Sequence, residues 1–331
     1  MTRPGLIVGL GGTGQWVLTW LKRDLLLSNN GVMPKNVRLL EIDTCTQLEA
    51  KASRINAKGQ KEEATEVGGV MLDRSEYVYI GGNAHELARQ IKARQAKGKE
   101  VVYPWFHAAK WLSTQAPRTF VLDEGAGRLR QFGRLAVFKD MQGEEAGSSV
   151  WSALRTAIEG VRVAVNEQRS LEIIVVGSFA GGTGSGLFID IALILRLLAR
   201  QLGVNHILRG MFALPSVFTT NPDAEMKARS FAAWRELNRF MVVDEDFPMP
   251  EIRYVPTNPN FRIQPDQRLF DACYLVDGKR KGQPIAKEAK YGVFPMLAEF
   301  LSAILDEQAG TAYTQWIFTN LAPEYARKPE T

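Results

Sequence analysis

Short apolar runs alternate with longer helical stretches along most of this chain, and that alternation sets the fold class. Gly5–Leu10 (GLIVGL), Val37–Ile42, Tyr77–Ile80, Ile173–Val176 (IIVV), Ile207–Leu214 and Phe270–Asp277 (FDACYLVD) read as strands. The Ile173–Val176 run is β-branched and uninterrupted, as expected of a strand buried on both faces of a parallel sheet. Trp16–Leu27, Ser149–Asn166, Leu187–Arg200, Ala224–Met241 and Tyr291–Leu305 read as helices, and Leu187–Arg200 is apolar enough to be largely buried. Strands separated by helices predict an α/β fold: a mostly parallel sheet with helices on both faces.

Glycines punctuate the pattern where strands give way to helices. In FAGGTGSG, Gly181, Gly182, Gly184 and Gly186 remove Cβ atoms from a sharp strand-to-helix turn, so backbone N–H groups can converge on an anion. Thr183 and Ser185 add hydroxyl donors, and the following helix presents its positive dipole end to the same point. Tight packing alone could also explain such glycines, but hydroxyl residues as the sole spacers favour a phosphate cradle. No Walker lysine follows the loop, which argues against the common P-loop. A second cradle, Gly11, Gly12, Thr13, Gly14 and Gln15, follows the first strand. Taken alone, Gly9-x-Gly11-x-x-Gly14 satisfies the dinucleotide fingerprint, with Glu41 or Asp43 to hold a ribose, so an NAD-dependent Rossmann enzyme is the competing reading.

GGTGSG after a buried strand resembles the signature loop of the tubulin and FtsZ superfamily of nucleotide-binding, filament-forming proteins, and the chain looks closest to the divergent bacterial tubulin-like members. The resemblance runs over residues 5 to 305 and implies a tubulin/FtsZ-type, Rossmann-like domain in which several loops ring one nucleotide. It assigns Asp43 and Thr44, in EIDTCTQL, to a loop near the phosphates and their metal. Gly125, Ala126 and Gly127, in GAGRLRQFGRLAVF, fall in a loop facing the terminal phosphate, with Arg128 and Arg130 bringing positive charge. Glu225, after the Pro215-Ser216 turn, would contact the ribose, and Tyr291, followed by Gly292, would stack on the base. Bland alternatives stand beside each: Asp43 capping a helix, an ordinary turn at Gly125, and Glu225 as a first-turn dipole residue. The resemblance further implies GTP or GDP with Mg²⁺, nucleotide-dependent homo-oligomers or filaments, and possible GTPase activity.

The chain departs from the family where the base is read, since Gly278 and Pro295 stand in place of two asparagines. It departs again after the long helix, where relatives carry acidic residues that enter a neighbouring subunit's pocket. Asp306 and Glu307 are the candidates here, with a solvated helix end as the alternative. The expected organisation is a nucleotide-binding domain over 1–290 with an insertion at 84–124, a long core helix at 291–307 and a C-terminal segment at 308–331, the activation domain being absent or truncated. A non-hydrolysing regulatory or scaffold module, contacting a protein partner through the 84–124 insertion, is therefore a second functional reading.

Composition narrows the rest. With 331 residues, 45% hydrophobic and 23% charged, the chain reads as an ordinary globular protein of one large domain or two. Two distant cysteines, Cys45 and Cys273, argue against a disulfide framework or structural zinc and for a reducing, cytoplasmic compartment. Asp190 and Arg196 interrupt the most apolar helix, so no membrane span is expected. The apolar run after Arg3 is too short for a secretion signal. A net charge of +5 permits an anionic ligand, and a nucleic-acid partner is not expected. The three histidines, none near a plausible nucleophile, give no support to acyl transfer.

Overall fold

The structure is a computed structural model and describes residues 2–45, 52–55, 61–64, 67–82, 84–99, 103, 105–114, 129–165, 170–219, 221–242, 248–249 and 251–325. In chain order it runs β1 (Gly5–Leu10), α1 (Gly11–Ser28), β2 (Val37–Asp43), a hairpin of β3 (Ala52–Ile55) and β4 (Lys61–Ala64), then β5 (Tyr77–Tyr79). Five helices follow: α2 (Ala84–Ala96), α3 (Ala108–Thr114), α4 (Arg130–Met141), α5 (Glu144–Gly147) and α6 (Ser149–Arg162). Next come β6 (Leu171–Ser178), α7 (Thr183–Gln201), β7 (His206–Ala213) and α8 (Ala224–Met241). The chain closes with β8 (Ile252–Arg253) and β9 (Arg262–Ile263), β10 (Ala272–Val276), a hairpin of β11 (Lys279–Arg280) and β12 (Gln283–Pro284), α9 (Val293–Leu305) and α10 (Glu307–Tyr325).

Six strands form one sheet in the order β10-β7-β6-β1-β2-β5, and every pairing in it is parallel. Successive residues of a strand point to opposite faces, and here both faces are covered. Leu6, Val8, Ile173 and Val175 pack with α4, α6 and α7, whereas Ile7, Ile174 and Val176 pack with α1 and α9. The expected α/β layering is therefore the observed one. It explains why these runs are continuously apolar: a strand with helices above and below has no solvent face on which to place polar residues.

The amino ends of the strands are closed by buried charge. Glu172 and Arg209, both fully buried, pair across β6 and β7 at 2.9 Å, and Arg3 reaches the other carboxylate oxygen at 2.7 Å. Arg209 also donates to Thr314 of α10 and Tyr274 of β10. The described part of the 84–124 insertion packs on the body through rings: Tyr103, Phe106 and Trp111 are buried, and Trp111 meets Phe132 of α4 edge-on at 4.9 Å.

Candidate functional site

The sheet order places a switch point between β1 and β6. From β1 the chain crosses through α1 to β2 on one side; from β6 it crosses through α7 to β7 on the other. In open parallel sheets the crevice at the carboxyl ends of such strands is where ligands bind. The two helices that start there lie on opposite faces of the sheet, so their N-termini flank one crevice.

Glycine makes this approach possible. Gly11 adopts φ +69°, a conformation L side chains rarely adopt, and a Cβ placed on it would lie 3.1 Å from the Thr183 Cβ, so the two glycine loops touch. A Cβ on Gly14 would lie 2.5 Å from Gly9, which is what brings α1 tight against β1. Around Gly181 a Cβ would meet no atom of the described residues within 4 Å, so the loop has open space there. Thr183 and Thr44 share a buried 2.8 Å hydroxyl–hydroxyl bond, which ties the end of β2 to the start of α7. Ser185 turns its hydroxyl back onto the Gly181 carbonyl.

Neither α1 nor α7 has a side-chain N-cap or an acidic residue in its first turn. By contrast, Ser148 caps α6 by accepting from the Trp151 N–H, and Asp223 caps α8 by accepting from the Met226 N–H at 2.6 Å. A helix start leaves its first N–H groups without intrahelical partners. Two such starts, unprovided by side chains and facing one crevice, form a donor array suited to a phosphate anion.

The other predicted residues separate into groups. Gly11, Gly12, Thr13, Gly14, Gln15, Thr44 and Gly181 to Gly186 are brought together at the crevice. Asp43 ends β2 beside them, its carboxylate accepting from the N–H groups of Thr44 and Cys45 at 2.7 and 3.3 Å. Gly125, Ala126, Gly127 and Arg128 lie outside the described residues. Arg130 is held by the Ser185 carbonyl, in the first turn of α7, and by Glu236. Glu225 sits in the first turn of α8, largely exposed and paired with Arg229 at 3.2 Å. Tyr291, 67% exposed, leads into α9 with the Lys290 ammonium 4.9 Å from its ring centre. Gly278 is fixed by close packing, since a Cβ there would come within 2.5 Å of the Val217 Cα.

Asp306 and Glu307 stand at the opposite end of the sheet. Asp306 bridges to Thr2 beside the start of β1, and its carboxylate accepts from the N–H groups of Gln308 and Ala309, capping α10. Those bonds hold its pKa below the ordinary carboxylate value. Glu41, one of the two ribose candidates of a dinucleotide reading beside Asp43, is fully buried with its carboxylate against Gly9 and Gly14; a Cβ on Gly14 would lie 2.8 Å from its oxygen. It is closed to a ribose.

Two features escaped sequence reasoning. The Thr44–Thr183 bond joins residues 139 apart and has no local signal. On the flank of α7, fully buried Asp190 accepts from the Tyr254 hydroxyl at 2.7 Å and from Arg134 at 3.1 Å. Burial drives the Asp190 pKa up despite these partners, and burial beside Asp190 drives Tyr254 up as well. The i, i+56 spacing of Arg134 and Asp190 gives no periodic clue.

These features define an α/β protein with two glycine loops meeting at the switch point of a parallel sheet. Residues 6–327 match the family described as tubulin like, so the chain belongs to the tubulin-like family. No curated protein sequence matches it. Among solved structures, CetZ from Methanosaeta thermophila strain DSM 6194 is 15% identical with TM-score 0.45, covering 93% of this chain and 56% of that one. The GDP-bound monomer of CetZ1 from Haloferax volcanii is 12% identical with TM-score 0.49, covering 97% and 64%. The GTPγS-form protofilament of TubZ from Bacillus thuringiensis serovar israelensis is 11% identical with TM-score 0.44, covering 93% and 57%. The chain thus spans less than two thirds of the length of each of these.

Proposed function

We propose that this protein binds a guanine nucleotide, GTP or GDP, with its phosphates between the starts of α1 and α7, and that bound nucleotide governs self-association into filaments or oligomers. The observation that carries the reading is the pair of uncapped helix starts side by side at the switch point. Membership of the tubulin-like family supports a guanine nucleotide as the class. In this reading the free backbone N–H groups among Gly11 to Gln15 and Gly181 to Ser185 face phosphate oxygens, the Gly186 N–H being bonded to the Gly182 carbonyl. Thr44 holds the Thr183 hydroxyl in place, and Tyr291 offers its exposed face to the base. Stacking needs only a π face, so Tyr291 by itself does not distinguish guanine from adenine.

Among the described residues no three His, Cys, Asp or Glu side chains gather as a metal site, so Mg²⁺ would enter with the phosphates, Asp43 being the nearest carboxylate of the loops. When bound, it screens phosphate oxygens for transfer to water. Asp306 and Glu307 lie at the amino end of the sheet and the cradle at the carboxyl end, so one subunit cannot supply both. A head-to-tail contact between copies would bring them together. Because the Asp306 carboxylate already caps α10, the non-hydrolysing alternative keeps its place. No helix among the described residues is long and apolar enough to cross a membrane.

Denaturing the purified protein and identifying the released small molecule by mass spectrometry tests the proposal. GDP or GTP is expected; NAD alone, or no nucleotide together with no binding of added GDP, would overturn it. Light scattering with phosphate release on adding GTP and Mg²⁺ supports the hydrolysing filament, and a monomer retaining intact GTP supports the regulatory module.

A further inference from the structure

We infer that the cavity between α4, α7 and α8 is a binding site for a small monoanionic carboxylate with a flat apolar body. The cavity encloses about 550 Å³, a size typical of small-molecule pockets. It lies on the flank of α7, where Gly186 lets the two helices meet closely: a Cβ there would press on the Arg130 carbonyl.

Charge specifies the ligand. Three guanidinium groups, Arg130, Arg134 and Arg229, face two carboxylates, Asp190 and Glu236, so the lining carries one positive charge in excess. Arg134 and the Tyr254 hydroxyl satisfy Asp190, and Arg130 satisfies Glu236. Arg229 is left. One of its N–H groups meets Glu225 at 3.2 Å, but that carboxylate is 87% exposed and screened by water. The Nε and Nη2 groups of Arg229 are buried and find no acceptor among the described residues. Together they form the guanidinium edge that grips a carboxylate through two parallel bonds. The indole N–H of Trp105, also in the lining, is buried and lacks an acceptor among the described residues as well.

Buried donors without acceptors are costly, and an entering carboxylate removes that cost. Shape specifies the remainder of the ligand. Leu129, Ile189 and Ala232 supply apolar wall, and the Trp105 indole, with the Arg134 guanidinium 4.7 Å from its ring centre, supplies a planar face. The two unpaired donors, on Arg229 and Trp105, are not cradle residues, although the cavity borders the cradle at Gly186.

Titrating the full chain with benzoate, and separately with neutral benzamide, by calorimetry tests the assignment. Benzoate should bind at least about tenfold more tightly, the value expected of a charge-assisted bidentate contact. Arg229→Gln should bring the two ligands to equal affinity. Ala232→Phe, which fills the cavity and leaves every charge in place, should remove benzoate binding. Equal affinities in the unmodified protein, no benzoate binding at all, or a tenfold preference surviving in Arg229→Gln would each overturn the assignment. The benzoate and benzamide comparison needs no variant to fold.

Discussion

The two ends of the central sheet are built on opposite principles. At the amino end a buried charge cluster is satisfied inside the protein: Glu172 is held by Arg209 and Arg3, and Arg209 reaches on to Thr314 and Tyr274. At the carboxyl end, α1 and α7 begin without caps and without acidic residues, around glycines whose lost side chains leave room for something external. One end is complete in itself. The other, in the proposed function, awaits a ligand. The difference predicts that substitutions at the amino end should change stability without changing affinity, and that the reverse should hold at the carboxyl end.

The largest expected effect breaks the closed end. Glu172→Ala leaves Arg209 buried without its carboxylate and should cost about 3–5 kcal/mol in denaturant unfolding, with nucleotide affinity of the folded fraction unchanged. Next is the open end: Gly181→Val places its Cβ where no atom of the described residues lies within 4 Å. It should leave the melting temperature in place and reduce GDP affinity roughly a hundredfold, the loss of about two charge-assisted hydrogen bonds. Gly184→Val is a blunter probe, since its Cβ would also approach the Leu10 carbonyl at 3.0 Å. Tyr291→Ala should weaken GDP binding by about 1–3 kcal/mol if the ring stacks on the base, with stability unaffected because the ring is exposed.

The smallest effect returns to the closed end. Burial, with the Arg196 guanidinium beside it, holds the His206 pKa below its ordinary 6.5. Below that pH the unfolded chain takes up a proton that the folded chain refuses, so stability is lost as pH falls through 6.5. His206→Gln should reduce the loss of stability between about pH 7.5 and about pH 5.5, read from denaturant midpoints. Cradle affinity for GDP should not follow this residue.

The open end was the more legible of the two in sequence, for a physical reason. Its signals are local: apolar runs of strand length, then glycines spaced by hydroxyl residues, all within single stretches of chain. Even there the helix starts were placed late, at Trp16 and Leu187, whereas α1 begins at Gly11 and α7 at Thr183. Glycine has poor helix propensity, and only packing across the crevice coils those loops into first turns. The closed end was illegible because its partners are remote: Glu172 to Arg209 spans 37 positions and Arg209 to Thr314 spans 105. A glutamate beside IIVV reads as a strand end until the fold supplies its arginines. Arg130 and Glu225 illustrate the same limit, since ion pairs with Glu236 and Arg229 decide where their charges point.

The most direct measurement follows the backbone amides of residues 11–15 and 183–186 by NMR while GDP is added. Both sets should shift together along one binding curve, because both helix starts receive the same phosphates. Movement of the 11–15 amides alone, or of neither set while GDP binds elsewhere, would contradict the account.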